Sequence, residues 1–124
     1  VAGALKLYFQ ELPDPLLTTA LHKELLAAVA NTSNEWDRRD RVHEAVNKLP
    51  DNNYAVLRHL IFHLDRVARH ESVNRMSIVN LGNMWGPLLM ASGRGKGGKI
   101  AELALQAAVV ETILYNCDHI FEAE

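Results

Sequence analysis

The sequence predicts an all-α helical bundle, and three observations carry that expectation. Apolar residues recur in steps of three and four along most of the chain, the period of one helix face. Prolines, glycines and short polar clusters cut this pattern into segments of helix length. No segment alternates apolar and polar residues over a useful strand length, and no internal repeat is present. With 124 residues, 48% of them hydrophobic and 23% charged, the chain has material for one domain with one core.

The elements follow in order. Val1, Leu5, Tyr8 and Leu12 fall on one face of a first helix, which Pro13 and Pro15 stop because proline lacks the amide and disfavours helix before itself. Thr18 or Thr19 suits the cap of a second helix with Leu21, Leu25, Leu26 and Val29 as its stripe. The turn cluster Asn31-Thr32-Ser33-Asn34 precedes a charged helix that runs to about Lys48, with Val42, Ala45, Val46 and Leu49 inward. Asp51 suits the cap of the next helix, which has the clearest stripe: Leu57, Leu60, Ile61, Leu64, Val67 and Ala68. After a break at residues 72–74, Ile78, Leu81, Trp85 and Leu88 define a helix expected to begin at a cap on Asn74 and to end on Gly86-Pro87. A glycine-rich stretch at residues 92–99 leads to a last long helix from about Ile100 to Asn116. Ile120-Phe121 is expected to tuck back as an apolar anchor.

Composition excludes more functions than it suggests. A net charge of −2 provides no broad basic field, so nucleic acid is not an expected partner. The single Cys117 excludes an internal disulfide and any CxxC site, and reads as a small buried hydrophobe. No apolar run reaches the ~18 residues of a spanning helix and no signal sequence opens the chain. A reducing, cytoplasmic setting is therefore expected, without membrane contact by this domain.

Several residues invite chemical readings. Residues 93–99 spell G-x-x-x-x-G-K, but Ile100 stands where a phosphate-binding loop needs Ser or Thr for Mg²⁺. An exposed basic loop with Arg94, Lys96 and Lys99 is the expectation. His59 and His63 lie one helical turn apart, yet no zinc-protease glutamate follows His59, so with His70 they read as solvated side chains opposite the apolar stripe, and no metal is expected. No Ser-His-Asp order or acid pair announces a hydrolase. Lys6 and Gln10, at i and i+4, share a polar face that is either simply solvated or used for docking. Asn80 sits mid-helix between Val79 and Leu81, where asparagine is a poor helix former. Its amide either bonds the backbone internally or points at a partner.

Two stretches carry a resemblance. Leu5-Lys6-Leu7-Tyr8-Phe9-Gln10-Glu11-Leu12-Pro13-Asp14-Pro15-Leu16-Leu17 and Asn74-Arg75-Met76-Ser77-Ile78-Val79-Asn80-Leu81-Gly82-Asn83-Met84-Trp85-Gly86-Pro87-Leu88-Leu89 resemble the paired motifs of the Rho GTPase-activating (RhoGAP) domain family. Leu49-Pro50 and Asn53-Tyr54 lie between them in the matching order. The run Ala4-Leu5-Lys6-Leu7-Tyr8-Phe9 is most similar to chimaerin-like and fungal multidomain members.

This resemblance implies a helical bundle of that type lacking its N-terminal helices, with residues 1–124 forming part of the domain. It implies an activator rather than an enzyme: the domain docks on the switch loops of a Rho, Rac or Cdc42-type GTPase, which itself holds GTP and Mg²⁺, and inserts an arginine that accelerates hydrolysis in trans. Lys6 and Asn80 match family positions at the GTPase-contacting groove, and Gln10 stands where most members have a second arginine. A neutral amide there cannot give a charged, forked contact. Pro13, Pro15, Asn74, Gly86 and Pro87 match structural positions. The family's arginine finger would lie before Val1. None of Arg38, Arg39, Arg41, Arg58, Arg66, Arg69, Arg75 or Arg94 matches its context, so no catalytic residue is assigned. Asn83-Met84-Trp85 replaces an apolar run that usually ends in Phe. Weak or absent GTPase acceleration by this chain alone is expected, with self-association or helix exchange through uncovered apolar surface.

Overall fold

The turn that follows the first motif shows how the chain is locked together. Leu17 donates its backbone N–H to the Leu89 carbonyl at 3.0 Å, and Asn53 Nδ2 donates to the Leu16 carbonyl at 2.9 Å. Leu16 and Leu17 are themselves buried. One short segment thereby ties two distant helices to each other through satisfied buried carbonyls. Thr18 closes the turn with φ of 66°, a left-handed conformation that crowds a β-branched side chain.

The computed structural model describes residues 7–9, 11–31, 34–70, 77–90 and 100–121. Residues 7–9 are helical. They are followed by α1 (His22–Ala30), α2 (Glu35–Val46), α3 (Asp51–Arg69), α4 (Ile78–Leu89), α5 (Ile100–Tyr115) and the short α6 (Cys117–Ile120). No strand occurs among the described residues, and the all-α expectation holds.

Helix starts use different caps from those expected. Asn34 caps α2, its side chain accepting from the Trp36 and Asp37 amides at 2.7 and 3.3 Å. At α1 the cap position belongs to Leu21, while Thr18 Oγ1 accepts the Leu21 N–H from outside the helix at 3.3 Å and Thr19 binds the Asp14 carboxylate. Pro50 rather than Asp51 is the cap residue of α3, which places the Asp51 carboxylate in the first turn, where the helix dipole favours it. Ser77 caps α4, accepting the Asn80 N–H at 3.1 Å. Asn74, expected in that role, lies outside the described residues.

The core gathers around α5, which packs against α1, α2, α3 and α4. Val109, Val110, Ile113 and Leu114 are buried there. The expected stripes of α1, α2 and α3 point inward, with Leu25, Val42, Ala45, Val46, Leu57 and Ile61 essentially inaccessible. Each of the branched side chains among these is worth about 1.5–3 kcal/mol of transfer free energy. Ile120 and Phe121 tuck in as expected, with Phe121 meeting Tyr54 and Phe62 at ring-centroid distances of 5.5 and 5.9 Å. Cys117 is buried beside them, and burial pushes its thiol up to about 11, so it stays a neutral, unreactive hydrophobe.

Two expectations need correction. The first concerns the opening segment: Phe9, not Tyr8, faces the core, being 4% exposed where Tyr8 is 55% exposed. Phe9 packs edge-on against Trp85 at 5.7 Å, and that contact decides between two adjacent aromatics. The second concerns Gly86-Pro87, which does not end α4. The helix continues to Leu89, and Met90 donates to the Gly86 carbonyl at 3.0 Å. Pro87 denies a hydrogen bond to the carbonyl four residues back, that of Asn83, which lies at an exposed position where water can substitute.

Candidate functional site

The site grows from the two faces of α4. Its inner face carries Leu81 and Trp85 into the core and sets Gly82 and Gly86, one turn apart, against α5. A Cβ on Gly86 would stand 2.8–2.9 Å from backbone atoms of Gln106 and Ala107. One on Gly82 would stand 2.7 Å from Glu111 Cγ and 2.9 Å from the Ala107 carbonyl oxygen. The helices approach as closely as they do because these two residues have no side chain. Beside the seam, Gln106 is buried and its Nε2 donates to the Met90 carbonyl at 3.2 Å, which fixes the far end of α4.

The outer face is held rigidly by this packing and meets solvent. Val79, Asn80 and Asn83 are exposed there. The backbone N–H of Asn80 is taken by the Ser77 cap, but its side-chain amide makes no hydrogen bond among the described residues. Among the described residues this amide, with two donors and an acceptor, has no internal partner and stands beside a half-exposed valine.

The Phe9–Trp85 contact places the helical segment at residues 7–9 against α4, so the two sequence motifs are neighbours in space. Lys6 and Gln10 flank that segment in sequence and lie outside the described residues. Pro13 and Pro15 shape the turn beyond it, Pro15 giving its carbonyl to the Thr18 N–H at 2.8 Å.

An apolar groove of about 630 Å³ opens beside the same segment, lined by Tyr8, Phe9, Ala55, Val56, His59, Leu60 and His63. His59 and His63 are exposed at its edge, and Leu7, Tyr8 and Val56 leave apolar surface open around it. Among the described residues no three His, Cys, Asp or Glu side chains converge as a metal site would require. The glycine-rich stretch at residues 92–99 lies outside the described residues. Sequence reasoning missed Gly82 altogether, because a glycine within a helix signals close approach only once the opposing backbone is known.

Comparison with known proteins fits this geometry. The RhoGAP domain family matches residues 1–94. The Probable Rho-GTPase-activating protein 7 of Schizosaccharomyces pombe is 37% identical over 98% of this chain, and beta-chimaerin of Mus musculus is 35% identical over 98%. The chain spans 17% and 36% of the lengths of those two relatives. The BH domain from GRAF, the GTPase regulator associated with focal adhesion kinase, superimposes with a TM-score of 0.89 at 31% identity, covering 97% of this chain and 64% of that one. Human Rho GTPase activating protein 15 gives 0.89 at 30% identity, covering 96% and 56%. With two motif stretches brought side by side by Phe9 and Trp85, and a family match across most of its length, this chain belongs to the RhoGAP domain family.

Proposed function

We propose that this chain is the part of a GTPase-activating domain that docks on the switch regions of a Rho, Rac or Cdc42-type GTPase through the face carrying Asn80, with Lys6 and Gln10 as further contacts. The observation that carries the reading is the solvent-facing amide of Asn80 on a helix clamped to α5, next to the segment that bears the first motif. A clamped helix presents its polar group without paying much ordering entropy on binding. GTP and Mg²⁺ belong to the partner, the chemistry proceeds in the partner's site, and the setting is cytoplasmic.

The arginine that would neutralise charge on the transferred phosphoryl group is assigned to a segment preceding residue 1 of the parent protein. Single-turnover GTP hydrolysis tests this. The 124-residue chain should leave the rate of a GTP-loaded Rho-family protein nearly unchanged, whereas the parent domain should raise it by about 10³–10⁵-fold. Strong acceleration by the short chain refutes the assignment.

Gln10 favours a second reading, a non-catalytic module that binds a GTPase or another protein, since it offers an amide where most members offer a guanidinium. A parent domain that binds the GTP-loaded partner and leaves hydrolysis unchanged would establish it. The open apolar rim at Leu7, Tyr8 and Val56 supports one further expectation: this chain by itself self-associates, by exchange of helices or face to face. A monomer mass in light scattering at high concentration counts against it.

A further inference from the structure

Trp36 and Tyr115 are the two most exposed large hydrophobic side chains among the described residues, each at 66%. Both line one groove of about 580 Å³ between the start of α2 and the C-terminal half of α5, together with Glu35, Glu111, Thr112 and Asn116. Aromatic side chains left open to water around a concave surface are costly unless something binds there, and Trp and Tyr dominate binding hot spots.

Carboxylates and acceptor oxygens make up much of the polar lining of the groove. Thr112 Oγ1 donates to the Ala108 carbonyl at 2.8 Å and Asn116 Nδ2 donates to the Thr112 carbonyl at 2.9 Å, so the one donor of Thr112 and one of the two of Asn116 are directed into α5 itself. Acceptor oxygens and the carboxylates of Glu35 and Glu111 remain for a ligand. The cation in the wall, Arg38, gives its Nη2 to the Val29 carbonyl at 3.0 Å. Burial raises the Glu111 carboxyl above its ordinary range, and Arg38 only partly opposes that, a situation a further cation would relieve. The molecule also holds an internal example of the contact in question: the Arg39 guanidinium lies over the Trp36 ring, 4.9 Å from its centroid.

We propose that this groove is a docking site for an arginine side chain presented by a protein partner, its guanidinium stacked on the Trp36 and Tyr115 rings and donating to the Glu35 and Glu111 carboxylates. Arginine fits better than lysine because its planar head stacks on rings and presents forked donors, whereas an ammonium is a point charge held by its water. The proposal does not depend on the GTPase reading, since neither Asn80 nor the first motif lines the groove.

Titration with the peptide acetyl-Gly-Arg-Arg-Gly-amide, followed by two-dimensional NMR, tests it. Saturable shifts of the Trp36 indole N–H and the Tyr115 ring are expected, with roughly millimolar affinity for so short a probe. The lysine analogue should bind several-fold more weakly. Trp36→Ala, Tyr115→Ala and Glu111→Gln should each weaken the arginine peptide by about ten-fold. Both aromatics are exposed, so the first two variants keep the fold, which circular dichroism checks. Arg39→Ala should tighten binding, since it frees the Trp36 face, and Asp51→Asn, outside the groove, should leave it unchanged. Shifts scattered over acidic side chains, equal binding of both peptides, indifference to Trp36→Ala and Tyr115→Ala, or no shifts at all would each overturn the proposal.

Discussion

The two faces of α4 are made from one twelve-residue segment and meet opposite environments. The inner face has no room for a methyl group at Gly82 or Gly86, and Trp85 beside them is 3% exposed. The outer face carries Val79, Asn80 and Asn83 into water. The contrast separates two kinds of importance. Residues on the inner face determine where the helix lies, and residues on the outer face determine what it can touch. Substitutions along α4 should therefore divide cleanly between lost stability and lost binding.

The largest effect is expected at Trp85. Replacing it by alanine removes a buried ring and the partner of Phe9, and should destabilise the domain by about 3–5 kcal/mol in urea unfolding. Against the 5–15 kcal/mol typical of whole domains, that is enough to unfold a marginal one. A loss under ~1 kcal/mol would mean that the contact between the first motif and α4 contributes little, and the inner face would lose its claimed role.

Gly86 offers a sharper test because its sign is diagnostic. Glycine to alanine within a helix normally stabilises by about 0.5–1 kcal/mol. Here the new methyl would meet backbone atoms of Gln106 and Ala107, which cannot swing aside, so Gly86→Ala should destabilise by about 1–3 kcal/mol. At Gly82 the nearest atom is Glu111 Cγ, a flexible side chain, although the Ala107 carbonyl is fixed. Gly82→Ala should cost about 1 kcal/mol, and Glu111→Ala in the same molecule should recover part of that. The same second substitution should not rescue Gly86→Ala. Equal rescue of both would show that the seam is loose rather than defined by backbone contact.

Much of this arrangement was legible in the sequence wherever one face of a helix is buried and the other is not. The stripe of α3 from Leu57 to Leu64 is the clearest case, and the inward residues of α1 and α2 follow the same logic. Legibility failed where the deciding partner is distant in sequence. Tyr8 and Phe9 both suit a three-four spacing, and only Trp85, far along the chain, selects Phe9. Gly86-Pro87 reads locally as a helix end. The approach of α5 gives the glycine another purpose, and the exposed position of Asn83 lets the proline stay within the helix. Ser77 and Asn74 are both good capping residues, and sequence alone does not rank them. At the candidate site, the sequence singled out Asn80 but left its amide free to turn either way; the structure places it on an exposed face, without an internal partner among the described residues. The groove between α2 and α5 carries no motif, since its lining comes from two short pieces far apart in sequence, Glu35 to Arg38 and Ala108 to Asn116.

The smallest stability effect belongs to Asn80, and its near absence is the point of the test. The Ser77 cap receives the backbone N–H of residue 80, which any residue supplies, so Asn80→Ala leaves the helix start intact. Alanine is also the better helix former, by up to ~0.7 kcal/mol. Unfolding should therefore shift by no more than about 0.5 kcal/mol, and in the stabilising direction. Affinity for a GTP-loaded Rho-family partner, measured by calorimetry on the parent domain, should fall about ten-fold, the effect of leaving one buried interfacial hydrogen bond unmade. Under the proposed docking, Asn80 serves the contact with the partner rather than the fold, and the two measurements together test that division. If Asn80→Ala destabilised the domain strongly, or left binding untouched, the outer face of α4 would be ordinary solvated surface, and the division between its two faces would no longer locate a function.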